Sequence, residues 1–388
     1  MHFRGFGKTG WQVSALGFGC MRLPTLGSSP MGADIREDEA IRMIRHAIDR
    51  GVNYVDTAYP YHGGNSERVL GKALENGYRE RVKLATKSPV WMIQAPADFD
   101  RFLDEQLEKL QVRCIDCYLL HGLGRDRWEN VVLKHGLLQR AEAARADGRI
   151  RHIGFSFHDR ADAFQLIVDG YDGWEFCQVQ YNYVDVQNQA GTAGVKYAAS
   201  KGLAVIAMEP LLGGKLARLP EDVGRVFDAT GVRRPWPEWA LQWLWNQPEV
   251  SLVLSGMSTF EQVEANLAAA ERSGVGLLRD EELRAFEQVR GKLAGLQTIP
   301  CTRCGYCLPC PSGVDIPRNF EIYNDSHIYN DPTGCRMSYR VYGKFFGSQV
   351  LAGACIQCGA CEEKCPQSIP ISEWMPKVHA LLGEGMDR

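Results

Sequence analysis

The chain has 388 residues, of which 45% are hydrophobic and 23% charged, and a formal net charge of -3. That length accommodates one large domain plus something smaller, and the composition of an ordinary globular protein excludes a disordered or fibrous chain. Lys and Arg are scattered among slightly more acids, so no basic stripe marks a nucleic-acid partner. No apolar run approaches the ~20 residues of a membrane span, and residues 1–10 lack the apolar stretch of an export signal, so neither a membrane nor export is expected and the expected location is cytoplasmic.

From 16 to 254, short apolar runs alternate with amphipathic stretches, the signature of repeated strand–helix units around a parallel sheet. In chain order, the pattern predicts an opening strand at 15–18, a strand at 53–56 with a helix at 67–74, and a strand at 82–86 with a helix at 99–110. Next come strands at 115–120 and 153–155 with helices at 137–146 and 161–168, and a strand at 176–179 with a helix at 195–199. A strand at 204–208, the Trp-rich helix 238–245, a strand at 252–254 and a helix at 261–270 close the series. Eight such units fit a closed (β/α)8 TIM barrel of the α/β class, which takes about 250 residues. The rival is a doubly wound open sheet, which begins with a glycine-rich phosphate-binding turn. Its nearest candidate, Gly17-Phe18-Gly19-Cys20, lacks the third glycine and a following helix.

In a barrel, functional groups sit where strands end and the following loops begin. Asp56 ends the second strand, Lys87 follows the third and His121 closes the fourth, while Tyr61 lies on the loop after Asp56. Each is expensive in apolar surroundings unless paired. Together they make a proton donor for a carbonyl oxygen. A tyrosine phenol ordinarily titrates near pH 10, a Lys87 ammonium beside it favours the phenolate, Asp56 holds that ammonium, and His121 orients the substrate oxygen. Taken singly, Asp56 also reads as a helix cap, His121 as a core histidine and Lys87 as a solvated loop residue.

The segments Asp56-Thr57-Ala58-Tyr59-Pro60-Tyr61, Asn65-Ser66-Glu67, Ala85-Thr86-Lys87 and Leu119-Leu120-His121 resemble the aldo-keto reductase family in order and spacing. The likeness continues through Ile153-Gly154-Phe155-Ser156, Gln178-Val179-Gln180-Tyr181-Asn182, Glu209-Pro210-Leu211 and Gly256-Met257-Ser258. It implies a (β/α)8 barrel, NADPH or NADH extended across the barrel mouth, and hydride transfer between the cofactor and a small-molecule carbonyl or alcohol substrate, without metal or flavin. Asp56, Tyr61, Lys87 and His121 fall on the family's catalytic tetrad. Ser156 and Gln178 match positions that hold the nicotinamide carboxamide, and Pro210, Leu211 and Gly213 lie in the loop near the pyrophosphate. Ser258, Gln262 and Asn266 match the adenosine end, and Met21 and Gly256 complete the implied contacts. Two departures stand out: Phe157 replaces an asparagine, and Met208 takes the place of the aromatic that stacks on the nicotinamide. Gly256 and Gln262 stand where Lys and Arg often grip a 2′-phosphate, which leaves NADPH and NADH both open. Trp91 and Trp128, on variable loops, are the aromatic candidates for the substrate pocket.

Of the thirteen cysteines, Cys20, Cys114, Cys117 and Cys177 lie before residue 300 and the rest after it. This shift places a domain boundary near 298, dividing a barrel at 1–297 from a domain at 298–388. Cys301, Cys304, Cys307 and Cys310, the last followed by proline, are echoed by Cys355, Cys358, Cys361 and Cys365, again followed by proline. Three cysteines spaced by two residues wrap one face of an iron–sulfur cube, and the fourth, before proline, ligates the other cluster of a two-cluster ferredoxin. The expected partition is Cys301, Cys304, Cys307 and Cys365 for one [4Fe-4S] cluster, and Cys355, Cys358, Cys361 and Cys310 for a second. Its first motif is one residue shorter than the bacterial ferredoxin run, and zinc held by four thiolates is the alternative. Cys335 and the four early cysteines are bystanders. The tail resembles the mostly helical dicluster ferredoxin-type domain fused to a branch of aldo-keto reductases, and the intervening Phe320, Tyr323, Tyr329, Tyr339 and Tyr342 make 311–354 too aromatic for a flexible linker.

Three functions follow. One is a carbonyl reductase whose clusters exchange electrons with a ferredoxin-like carrier, although no recognisable flavin motif converts one-electron to two-electron steps. Another is an ordinary reductase with structural clusters. The third is an electron-transfer or redox-sensing module whose barrel only binds nucleotide.

Overall fold

The computed structural model describes residues 1–27 and 32–385. Two short strands, β1 (Phe3–Gly5) and β2 (Gln12–Ser14), pair antiparallel as a hairpin. Eight parallel strands then close into a barrel: β3 (Leu16–Gly19), β4 (Tyr54–Asp56), β5 (Lys83–Ser88), β6 (Ile115–Leu123), β7 (Ile150–Phe157), β8 (Phe176–Gln180), β9 (Ala204–Met208) and β10 (Val250–Gly256). β10 pairs with both β9 and β3, which removes every edge. The expected strands are all present, and their near-continuous apolar runs reflect burial on both faces, by the barrel interior and by the surrounding helices.

The helices follow in chain order. They are α1 (Glu37–Asp49), α2 (Asn65–Ala73), α3 (Pro96–Leu110), the single turn α4 (Arg125–Arg127), α5 (Leu137–Ala146), α6 (Ala161–Asp169), α7 (Gly191–Ser200), α8 (Glu221–Asp228), α9 (Trp236–Trp245), α10 (Phe260–Ala270), α11 (Asp280–Gly295), α12 (Ile316–Ile328), α13 (Pro332–Phe346) and α14 (Ile371–Leu382). The sequence reading does not anticipate α1, although Ala40, Met43, Ile44, Ala47 and Ile48 form its buried stripe at helical spacing. α2 lies so close to α3 that a Cβ on Gly71 would stand 2.8 Å from the Lys109 carbonyl oxygen, a contact only glycine tolerates.

The hairpin, also unforeseen, plugs the end of the barrel where the strands begin. Phe6 is fully buried, with its ring 5.9 Å from Tyr54 and 5.5 Å from Phe176, in a cluster with Val13, Leu119, Ile206 and Leu252. Strand register aligns the opposite ends, with Gly19 beside Asp56 and Asp56 beside Ala85. β6 runs past the expected end at Leu120 to Leu123, and its pairing with β7 slips between those residues. Gly122 within the slip has φ +63°, a left-handed conformation that glycine adopts without strain, and such a bulge re-aims the side chain beside it, here His121.

The chain forms two compact units, one of Met1–Ala217 with Arg234–Asp280 and the other of Arg218–Arg233 with Glu281–Arg388. Compactness thus groups α8 and nearly all of α11 with the tail, whereas composition places the boundary near 298. Phe227 of α8 packs on Phe286 of α11 at 5.1 Å. The tail has its own core, including Ile299, Phe320, Tyr339, Met375, Val378 and Leu382. Asn324 of α12 ties its entry by accepting from the Ile299 N–H and donating to the Ile299 carbonyl, both at 2.8 Å. The aromatic insert forms α12 and α13, with Phe320 and Tyr339 fully buried.

Candidate active site and iron–sulfur centres

Lys87 projects from β5 and is fully buried, a position a lysine holds only when its ammonium is met by acceptors. Its Nζ donates to Asp56 Oδ1 at 2.5 Å, to the Thr57 carbonyl at 2.7 Å and to the Tyr61 hydroxyl at 3.4 Å. Tyr61 starts a short 3-10 turn immediately after the β4 loop, so the chain folds back and brings the phenol over the strand ends. The Tyr61 ring meets the His121 ring edge-on at 6.0 Å. Trp91 also packs against His121, at 5.0 Å, with the Arg127 guanidinium 5.3 Å from the Trp91 ring. The structure therefore brings Asp56, Tyr61, Lys87 and His121 together. Trp128 lies elsewhere, 2% exposed against Trp174, and serves as packing rather than as a loop aromatic.

Burial is the largest influence on every member of this group. It pushes the Tyr61 phenol up; Lys87 pulls it back and Asp56 adds to the rise, so the net direction is upward. The ammonium thus acts in the expected sense without overcoming burial. Burial pulls the Lys87 ammonium down, but Asp56 and Tyr61 outweigh it and hold the proton on nitrogen. The Asp56 carboxyl is pushed up by burial and drawn back by Lys87. His121 is held well below its ordinary value, first by burial and then by Lys87, His158 and Arg127, so it is a neutral imidazole at neutral pH. Its Nδ1 is buried without a hydrogen-bond partner.

The expected cofactor residues spread around the same end of the barrel. Ser156 Oγ accepts from the Gly122 N–H at 2.8 Å and keeps its own proton to donate. Gln178 Nε2 reaches Met208 Sδ at 3.5 Å, while its Oε1 is buried and unpartnered. After β9, Glu209 and Leu212 have φ of 52° and 49°, and Gly213 and Gly214 follow at 67° and 99°, which coils Pro210 and Leu211 into a tight turn. Gln262 Oε1 accepts from the Ser258 N–H at 2.8 Å, and Ser258 Oγ donates to the carbonyl of Arg22, which follows Met21. A Cβ on Gly256 would stand 2.9 Å from Arg22 Cγ, so glycine there makes room for a basic side chain from the first loop, a neighbour invisible in the spacing. Asn266 is buried and donates to Ser255 Oγ at 3.1 Å. Phe157 is fully buried against Phe164.

In the tail, the eight motif cysteines form no disulfide and surround two hollows. One is lined by Cys301, Cys304, Cys307 and Cys365, the other by Cys355, Cys358, Cys361 and Cys310. Each hollow therefore takes three cysteines from one motif and the fourth from the other. The two loops repeat one backbone: Arg303 and Gln357 have φ of 58° and 55°, and Gly305 and Gly359 have 77° and 73°. Among the described residues, no group of three or more His, Cys, Asp and Glu side chains converges as around a single metal ion. Four thiols around each hollow suit a multi-atom cluster. Cys335 is buried in α13 and lines neither hollow.

A closed barrel with an ammonium-backed tyrosine at its mouth defines an oxidoreductase of the barrel class, and the comparisons specify it. The aldo/keto reductase family model matches residues 15–290, and a 4Fe-4S dicluster domain matches 300–369. The chain belongs to the aldo/keto reductase family and carries a C-terminal 4Fe-4S dicluster domain. It is 28% identical over 292 residues to L-galactose dehydrogenase of Arabidopsis thaliana, covering 69% of this chain and 88% of that protein. It is 26% identical to the uncharacterized oxidoreductase YqkF of Bacillus subtilis over 74% of this chain and 96% of that one. Among solved structures, aldo-keto reductase AKR11C1 from Bacillus halodurans in its holo form superposes with a TM-score of 0.61 at 27% identity, covering 74% of this chain and 96% of that one. An aldo-keto reductase from Klebsiella pneumoniae in complex with NADPH does so at 0.60 and 26%, over 75% and 96%. No helix among the described residues is long and apolar enough to cross a membrane.

Proposed function

We propose that the barrel interconverts a small-molecule carbonyl and its alcohol using NADPH, the cofactor bound by the Klebsiella pneumoniae neighbour, with Tyr61 as general acid and base. The observation that carries this is the fully buried Lys87 ammonium, 3.4 Å from the Tyr61 hydroxyl and anchored on Asp56. Bound nicotinamide supplies the hydride for the carbonyl carbon. Tyr61 gives its phenolic proton to the carbonyl oxygen, Lys87 stabilises the phenolate left behind, and solvent returns the proton. Neutral His121 orients the carbonyl by hydrogen bonding and adds no charge of its own. Burial keeps the phenol protonated, which suits donation in the reductive direction. The orphan Gln178 Oε1 and the free Ser156 hydroxyl proton complement the two ends of a carboxamide. Met208 packs a polarizable sulfur where a stacking ring is common.

The catalytic domain is assigned to 1–297 and the cluster domain to 298–388, with a cytoplasmic location. Two [4Fe-4S] clusters are assigned to the two hollows, with Cys301, Cys304, Cys307 and Cys365 holding one and Cys355, Cys358, Cys361 and Cys310 the other; when bound they supply one-electron steps. Cys304 and Cys358 are exposed, which favours exchange with an external ferredoxin-like carrier over a purely structural role. Anaerobic turnover of simple aldehydes with NADPH, compared between the parent and Tyr61→Phe, tests the barrel assignment. Loss in the variant is expected, and equal rates overturn it.

A further inference from the structure

Behind the tetrad lies a buried polar network that the proton-transfer scheme does not use. Gln106, on α3, is fully buried, and the two hydrogens on its Nε2 are divided among three acceptors, one hydrogen being shared: the Lys87 carbonyl at 3.1 Å, Glu67 Oε1 at 2.6 Å and Thr86 Oγ1 at 3.0 Å. Its Oε1 accepts from the Tyr118 hydroxyl at 2.8 Å. Glu67, on α2, is also fully buried, and each of its partners is a donor: Thr86 Oγ1 at 2.7 Å, the Gln106 amide, and Lys109 Nζ at 3.4 Å. Burial pushes the Glu67 carboxyl up, while the donors of Gln106, Thr86 and Lys109 draw it back, since a carboxyl group met only by donors acts as an acceptor on both oxygens.

One amide thus ties α2 and α3 to β5 and β6 at the residue whose side chain faces Tyr61. A lysine reaching its target through four rotatable bonds holds its ammonium steady only if its backbone is fixed, because an error at Cα is carried to Nζ. Asp56 and the Thr57 carbonyl fix the far end of that side chain; the near end is fixed by Gln106. A solely structural need for a buried amide here would be met by pairing with Glu67 and Tyr118. The contact with the carbonyl of Lys87 itself is the one that couples the network to the site.

We propose that Gln106, locked by Glu67 and Tyr118, is a positioning residue that sets the distance between the Lys87 ammonium and the Tyr61 hydroxyl. This rests on the assignment of Tyr61 as proton donor. The charged and titratable groups facing Tyr61 are Lys87 from β5, Asp56 from β4, His121 from β6 and Glu209 after β9. Of these, Lys87 is the one that stabilises the phenolate, so loosening it moves the Tyr61 titration to higher pH.

The test compares the full-length parent with Gln106→Met, which keeps length and removes the hydrogen bonds, and with the milder Tyr118→Phe, which keeps the ring and its edge contact with Phe99. Three quantities are measured: kcat and KM across pH, the Kd for NADPH, and the phenol titration by ultraviolet difference against the matching Tyr61→Phe background. For Gln106→Met, kcat is expected to fall about tenfold to a hundredfold, the scale of a small misplacement of a catalytic group. The Kd for NADPH stays unchanged, and both the basic limb and the phenol titration move to higher pH. Tyr118→Phe shifts both in the same direction by less. An unmoved Tyr61 titration in either folded variant overturns the proposal, as does a loss of activity that merely tracks the folded fraction. If the parent shows no turnover that Tyr61→Phe abolishes, the catalytic assignment fails on its own, and the phenol titration still decides the positioning role.

Discussion

Replacing Lys87 by Met tests the electrostatics of the site through stability, independently of substrate. The parent Nζ is met by three oxygens at 2.5, 2.7 and 3.4 Å inside a fully buried environment. Methionine fills similar space but leaves the Asp56 carboxylate, whose Oδ2 already lacks a partner, without a counter-charge. Breaking a buried ion pair from one side costs about 3–5 kcal/mol. The carboxyl escapes that penalty by taking up a proton. Burial already pushes Asp56 up and Lys87 is its main restraint, so in the variant its folded value stands well above its unfolded one. A carboxyl with a raised folded value loses stability as pH climbs from the unfolded value to the folded one, by about 1.4 kcal/mol per unit. The variant is therefore close to the parent in mild acid and about 3–5 kcal/mol less stable at mildly alkaline pH. Urea unfolding followed by tryptophan fluorescence measures this, because every tryptophan except Trp374 lies in the barrel unit. Adding Asp56→Asn recovers most of the alkaline loss, since it removes the charge that needed the ammonium. Equal destabilisation at both pH values, or a double variant no better than Lys87→Met alone, refutes the reasoning.

Tyr61→Phe lowers kcat by about 10²- to 10⁴-fold, the share of a positioned general acid, with NADPH affinity by fluorescence titration unchanged. His121→Gln, which keeps a neutral donor, retains more reductase activity than His121→Ala, and a ranking in the opposite order in steady-state assays contradicts the neutral-imidazole assignment. Cys365→Ala and Cys310→Ala each lower anaerobic iron and sulfide content, whereas Cys335→Ala leaves both unchanged; electron paramagnetic resonance of the reduced protein reports which centre is lost. Gly71→Ala drives a methyl into the α3 backbone and destabilises the barrel by about 1–3 kcal/mol in the same urea assay.

The barrel is legible in the sequence because a parallel strand buried on both faces reads as a short unbroken apolar run, and each of the eight runs read as a strand between 15 and 254 is one. Asp56, Lys87 and His121 stand out as polar groups at the ends of those runs, with Tyr61 on the loop after the first of them. Elements without a period are not legible: three-residue strands such as β1 and β2 carry no alternation, and the extension of β6 to Leu123 depends on a slip at Gly122 that only the partner strand reveals. The setting of Glu67 is hidden for another reason. It is the one acid beside Arg68 and Lys72 in an otherwise ordinary amphipathic helix, and its meaning comes from Gln106, which meets it only after α3 packs on α2. Likewise, the joining of Arg218–Arg233 to the tail unit is a tertiary choice with no local signal. Cysteine spacing speaks most directly, since thiols cannot be spaced so regularly twice without a shared geometric demand.

The exchange of Cys310 and Cys365 between the two hollows makes the tail interlocked. Neither half of it is self-sufficient: a nascent chain ending anywhere before Cys365 lacks the fourth thiol for the first hollow, however long it waits. The second hollow has its four cysteines once Cys361 is made, so the ring of thiols around the first hollow is the last to be completed as the chain leaves the ribosome.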